Sequence, residues 1–198
     1  MLRQSWDTLN RPKYANRLWS EKQQEAIDAV LNAVRQSDEN LKQSMDPFLF
    51  IKGPPGSGKS AVLIEIAVRC ARDEDINVVI ICPTGSNVYS FKSQLPEVPG
   101  IERIRVDTLQ GVLNYKRPGK DEQVRWAPPS ALRRIELILC EEASQYENRD
   151  WNNLYVSIRE QPHRPFTAIV ADFAQLRPVL QGGKCERFCK KTPCIELN

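Results

Sequence analysis

The stretch "GPPGSGKS", Gly53 to Ser60, fits G-x-x-x-x-G-K-[ST] in full and stands between an apolar run, "FLFIK", and a helix-forming one, "SAVLIEIA". That context gives the pattern a chemistry. Across Gly53, Pro54, Pro55, Gly56, Ser57 and Gly58 the chain can turn backbone N–H groups inward around a β-phosphate, and the following helix N-terminus adds partial positive charge. Lys59 then reaches β- and γ-phosphate oxygens, and Ser60 offers a hydroxyl to magnesium.

A phosphate cradle needs a metal partner and, for hydrolysis, a group that positions water, both at the end of a neighbouring strand. "LILCEEASQYE" supplies two carboxylates at such a point, Glu141 and Glu142. In this arrangement the first acid supports the metal and the second activates the water. Aspartate is usual at the first position; the extra methylene of Glu141 extends its carboxylate by about 1.5 Å, which suits a contact through water better than a direct one. The alternative is that Glu141 only closes the strand and the metal site is degenerate. After a later apolar run, "FTAIVADFAQLRPV" brings Asp172 and Gln175 off the same sheet edge, where an amide can sense a γ-phosphate.

These residues need a scaffold that gathers strand ends. "PFLFIK", "INVVIIC", "IRVD", "IELILC" and "FTAIVA" are short β-branched runs, mostly apolar except for "IRVD", and they alternate with "SAVLIEIAVRCARD", "GSNVYSFKSQL" and "WNNLYVSIRE". Strands apolar on both faces must be covered on both, so the pattern predicts an α/β fold with a mostly parallel sheet between helices and ligands at the carboxyl ends. Upstream, "SEKQQEAIDAVLNAVRQ" carries a helical apolar stripe, with Ser20 as cap and Gln23 at the capping-box position. The stretch 114–130 has no sustained period and is expected to be a long loop or insertion.

The 198 residues, 41% hydrophobic and 27% charged, suit one globular domain. No run approaches the apolar length of a membrane span and no signal peptide is evident, so an intracellular location, nuclear or cytoplasmic, is expected, with mitochondria still open. The net charge is only +3, but residues 104–135 hold seven basic residues, Arg105, Lys116, Arg117, Lys120, Arg125, Arg133 and Arg134, against the acids Asp107, Asp121 and Glu122. This local surplus of four is compatible with a polyanion and equally with a solvated face. Cys70, Cys82 and Cys140 sit in apolar runs as core thiols. Cys185, Cys189 and Cys194 have the spacing of an incomplete zinc site, and the expectation is a reduced, solvent-facing tail.

The ordered set of Gln23, "GPPGSGKS", "CPTGSNVYSF", "VDTLQGVL", "LILCEEASQYE" and "VADFAQLRPV" resembles the first RecA-like domain of superfamily 1 helicases, most closely the PIF-one/RecD branch, over about residues 18 to 180. The resemblance implies a P-loop NTPase with a RecA-like three-layer sandwich, binding ATP and Mg2+. Gln23 would read adenine, and Gln175 would couple γ-phosphate state to a nucleic-acid groove formed by Pro83, Thr84, Gly85, Thr108 and Gln110, with single-stranded DNA, or RNA, as partner. It implies residues 1–46 as an N-terminal segment with the glutamine helix, 47–181 as the ATP-binding domain with a basic insertion at about 114–131, and 182–198 as a tail. Gln110 departs from the family's frequent histidine, Ala171 from glycine, Arg177 from proline and Glu141 from aspartate. A second RecA-like domain is expected in a full-length parent. The resulting expectation is the motor domain of an ATP-dependent DNA helicase, weak or inactive as this isolated chain, with a helicase-derived, non-catalytic binding module as the alternative.

Overall fold

The computed structural model describes residues 17–36, 47–114, 132–174 and 183–198. Gln175, Arg177 and the basic stretch 115–131 lie outside the described residues. The described elements run α1 (Glu21–Arg35), β1 (Phe48–Lys52), α2 (Lys59–Asp73), β2 (Val78–Cys82), α3 (Gly85–Gln94), β3 (Ile104–Thr108), α4 (Leu109–Leu113), β4 (Leu137–Cys140), α5 (Asn148–Arg159), β5 (Phe166–Ala171), α6 (Lys184–Cys189) and β6 (Cys194–Glu196). The strands form one sheet in the order β3-β2-β4-β5-β1-β6, every pairing parallel.

The apolar strands divide their side chains between two cores, as alternation across a pleat requires. Leu49, Ile51, Val78, Ile80, Leu137, Leu139, Ala168 and Val170 pack beneath α1 and α2. Phe48, Phe50, Val79, Ile81, Ile138, Cys140, Ile169 and Ala171 face α4, α5 and α6. Helix α1 contributes Ala26, Ile27, Val30 and Leu31, and its start is the expected reciprocal cap: the Ser20 hydroxyl accepts from the Gln23 N–H, and the Gln23 side chain accepts from the Ser20 N–H. Among the described residues, no helix is long and apolar enough to cross a membrane.

The expected solvent-facing tail is corrected. The Cys185/Cys189 spacing of four residues places both thiols on one face of α6, where each is only 2% exposed, with the sulfurs 4.0 Å apart. Cys194 alone is exposed. No group of three potential metal-ligating side chains occurs among the described residues. Strand β6 pairs with β1, the Leu197 N–H donates to the Lys52 carbonyl at 2.8 Å, and the fully buried Leu197 side chain joins the α1/α2 core. Leu197→Ala is therefore expected to cost about 2–5 kcal/mol, seen as a lower urea midpoint at unchanged slope.

Candidate nucleotide site and sheet edge

Because every strand is parallel, the segments after β1, β2, β3, β4 and β5 all emerge at one edge. The segment after β1 is the glycine-rich candidate phosphate loop, Gly53 to Ser60. Gly56 and Gly58 hold left-handed φ values of 80° and 82°, and Gly58 forms the N-cap of α2, so the loop closes tightly before the helix begins. A Cβ on Gly58 would lie 2.6 Å from the Gln23 amide nitrogen, and one on Gly53 would lie 2.5 Å from the Ser57 hydroxyl and 3.1 Å from Leu197. Both glycines are thus required by close approach. Lys59 is 6% exposed, and its ammonium donates to the Gly53 and Pro54 carbonyls at 2.7 and 2.8 Å. Ser60 follows in the first turn of α2.

Gln23 joins this loop in a way its sequence position does not reveal. While its amide oxygen completes the cap of α1, its amide nitrogen donates to the Ser57 carbonyl at 2.8 Å. The same residue thereby fixes the helix and the loop to one another.

The two acids arrive from β4. Register through the shared neighbour β5 sets Cys140 opposite Ile169 and Ile169 opposite Phe50, so Glu141 leaves β4 one residue past the level of Phe50. One intervening strand puts β4 about 10 Å from β1. Glu141 is 4% exposed, its N–H donates to the Ile81 carbonyl at 2.9 Å, and its Oε2 is buried without a hydrogen-bond partner. Burial, and secondarily the charge of Glu142, push its carboxyl up to about 7, while the ammonium of Lys59 pulls the other way. Lys59 and Glu141 are therefore within electrostatic reach of one another. Glu142 has left-handed backbone, φ 44° and ψ 47°, a conformation that costs a non-glycine residue about 1 kcal/mol or more. The turn is secured by Tyr146, a residue sequence reading missed, whose buried hydroxyl donates to the Ile81 carbonyl at 2.9 Å.

This donor set fits magnesium. The candidates, the Ser60 hydroxyl and the Glu141 carboxylate, are hard oxygen ligands, few in number, as expected for a cation that keeps waters and shares phosphate oxygens. The orphaned Glu141 oxygen, and the Ser57 hydroxyl buried in the loop without a partner, are polar groups left over by the protein's own bonding.

Farther along the edge, Cys82 pairs with Thr108, so Pro83, Thr84, Gly85 and Thr108 come together where β2 and β3 end. Thr84 caps α3 by accepting from the Asn87 N–H, and Thr108 caps α4 by accepting from the Gly111 N–H. Gln110 turns inward instead, and its amide nitrogen donates to the buried Asp150 carboxylate of α5 at 3.1 Å. Asp172 accepts from the Ala174 N–H at 3.0 Å just after β5.

A family model described as an AAA domain matches residues 19–198. The chain belongs to the AAA domain family. Among solved structures, this AAA domain is similar to a Pif1 helicase described in connection with DNA unwinding at forked duplex DNA, with TM-score 0.59 and 17% identity over 92% of this chain and 44% of that one. It is likewise similar to the Pif1 of a Bacteroides species in complex with ADP-AlF4, with TM-score 0.57 and 16% identity over 92% and 42%. Pif1 helicase from Candida albicans gives TM-score 0.59 and 20% identity over 91% and 40%. The shared feature is the helicase-type P-loop α/β fold, and the chain spans less than half the length of these structures. No curated protein matches.

Proposed function

We propose that this AAA domain is the ATP-binding motor half of an ATP-dependent DNA helicase, holding Mg-ATP at the β1/β4 ends and single-stranded DNA along the β2/β3 ends. The observation that carries this reading is the buried Glu141 carboxylate, one oxygen of which has no partner, within electrostatic reach of the buried Lys59 ammonium one strand away. The loop backbone and Lys59 bind the phosphates, Gln23 holds the loop's shape beside the adenine position, and Ser60 and Glu141 hold the metal. Magnesium, when bound, neutralises charge on the β- and γ-oxygens. Glu142 orients and deprotonates water, and Gln175 senses the γ-phosphate. Thr84 and Thr108, with the helix N-termini they cap, offer hydroxyl and N–H contacts to strand phosphates.

The arginine that completes such sites comes from a second RecA-like domain, a contribution on the order of a thousandfold or more in rate, so turnover by this domain alone is expected to be slow. A second reading, a non-catalytic binding module, is favoured by one observation: the buried Glu141 stands where aspartate is usual.

The test is titration of a fluorescent ATP analogue with magnesium, with and without single-stranded DNA. Micromolar affinity that shifts when the strand is added supports a coupled motor domain. Binding unaffected by the strand favours the module, and absence of nucleotide binding overturns the motor reading and moves the module, with its degenerate metal site, ahead.

A further inference from the structure

A second polar recess opens at the opposite edge of the sheet, where the strands begin. It is a cavity of about 830 Å³ bordered by Pro47 before β1, Asn77 before β2, the turn 133–136 before β4 and the loop 161–166 before β5. Strands of four to six residues separate it from the phosphate loop by about 15–20 Å. It is a different site from the nucleotide pocket and from the β2/β3 edge.

Its walls are cationic. Arg133, Arg134, Arg159 and Arg164 line it against the single acid Glu136, a formal charge of +3 from these five residues. Glu136 is already engaged, accepting from the Asn77 N–H at 3.1 Å. The Arg159 guanidinium lies 6.0 Å from the Tyr155 ring centroid. Arg133, Arg134 and Arg164 are exposed and pair with no carboxylate among the described residues. Three planar forks facing one cavity suit oxyanions, above all phosphate.

The remaining lining asks for more than phosphate. Gln161, 7% exposed, donates its amide nitrogen to the Ser157 carbonyl at 3.0 Å, but its amide oxygen is buried with no partner. That acceptor suits an N–H donor, which a phosphodiester lacks and a base supplies. Pro162, Pro165 and Phe166 add apolar lining against which a flat ring can rest. Phosphate, a flat ring and an N–H donor together describe a nucleotide unit. An acidic peptide would satisfy the arginines but would leave the apolar lining without a matching group.

We propose that the recess at the amino ends of β4 and β5 is a second nucleic-acid site, gripping the backbone of a single strand through Arg133, Arg134 and Arg164. A strand held at both edges would be gripped on two sides of the domain.

The test compares the wild-type chain with the triple variant Arg133→Gln, Arg134→Gln, Arg164→Gln. A labelled single-stranded DNA of mixed sequence is titrated over a range of salt, and hydrogen exchange is followed with and without the strand. Loss of three phosphate contacts should make the dependence of log affinity on log salt shallower by about 2 and lower the affinity about tenfold at moderate salt. Binding of the fluorescent ATP analogue should be unchanged, which also shows that the variant is folded. In the wild type, the strand should slow exchange in segments 132–137 and 159–166. Unchanged salt dependence, or protection confined to the β2/β3 edge, would overturn the proposal. So would displacement of the strand from these segments by a polyglutamate peptide, or by inorganic phosphate at matched phosphate concentration, since the site would then serve a peptide or free phosphate.

Discussion

Lys59→Ala is expected to lower affinity for the magnesium-bound ATP analogue by about a hundredfold or more, with the sheet intact. The ammonium is buried and already held in place by the Gly53 and Pro54 carbonyls. On the proposed nucleotide binding it would exchange neutral acceptors for anionic phosphate oxygens, and hydrogen bonds to charged groups contribute about 1.5–3 kcal/mol each. Its loss removes that gain and leaves the two loop carbonyls without their donor. Circular dichroism and a urea midpoint check the fold, and the titration reads the affinity. Affinity within about threefold of wild type in a folded variant would mean that the loop is not a phosphate cradle.

The second large effect is expected at Glu141 and has opposite signs for stability and for binding. Its carboxyl has an ordinary value of 4.5 and is pushed up to about 7 in the fold. Between those values the folded chain keeps a proton that the unfolded chain has released, so this residue's contribution to stability falls as pH rises through the window and is level above it. Glu141→Gln removes the titration. Without metal or nucleotide, the variant should exceed wild type above pH 7 by about 3 kcal/mol, with the difference closing toward pH 4.5. Urea midpoints across that range in the presence of chelator measure it, and a difference independent of pH would overturn the assignment. In return, Glu141→Gln should weaken magnesium-dependent nucleotide binding. Glu141→Asp separates the two functional readings: a gain in magnesium-dependent turnover supports a damaged ATPase, and no change favours the binding module.

Much of the scaffold was legible because its signals are strong and local. Four apolar runs and the half-charged "IRVD" became five parallel strands, the lysine-serine pair opened α2, and Ser20 and Gln23 formed their reciprocal cap. What escaped depends on contacts distant in sequence. The bond from Gln23 to the Ser57 carbonyl spans 34 residues and that from Tyr146 to the Ile81 carbonyl spans 65. Likewise, β6 is three residues long in a segment rich in lysine and cysteine, and only its pairing with β1 makes it a strand. The burial of Glu141 was also beyond reach, since adjacent carboxylates after an apolar run say nothing about which one the neighbouring strands enclose. The expected grouping of Pro83, Thr84, Gly85 and Thr108 rests on the β2/β3 pairing, whereas Gln110 is engaged by Asp150.

The position of β1 between β5 and β6 bears on how the chain acquires its fold. The strand that leads into the candidate phosphate loop is made early, yet both of its sheet partners lie more than 100 residues downstream. Until they are synthesised, β1 has two open edges and an apolar surface that α1 and α2 can only partly cover. Such long-range pairing slows folding and prolongs exposure of aggregation-prone strands. Ribosome-bound chains ending before β5 should therefore be the ones that recruit chaperones, and nucleotide should begin to stabilise the chain only after the region around Leu197 has emerged.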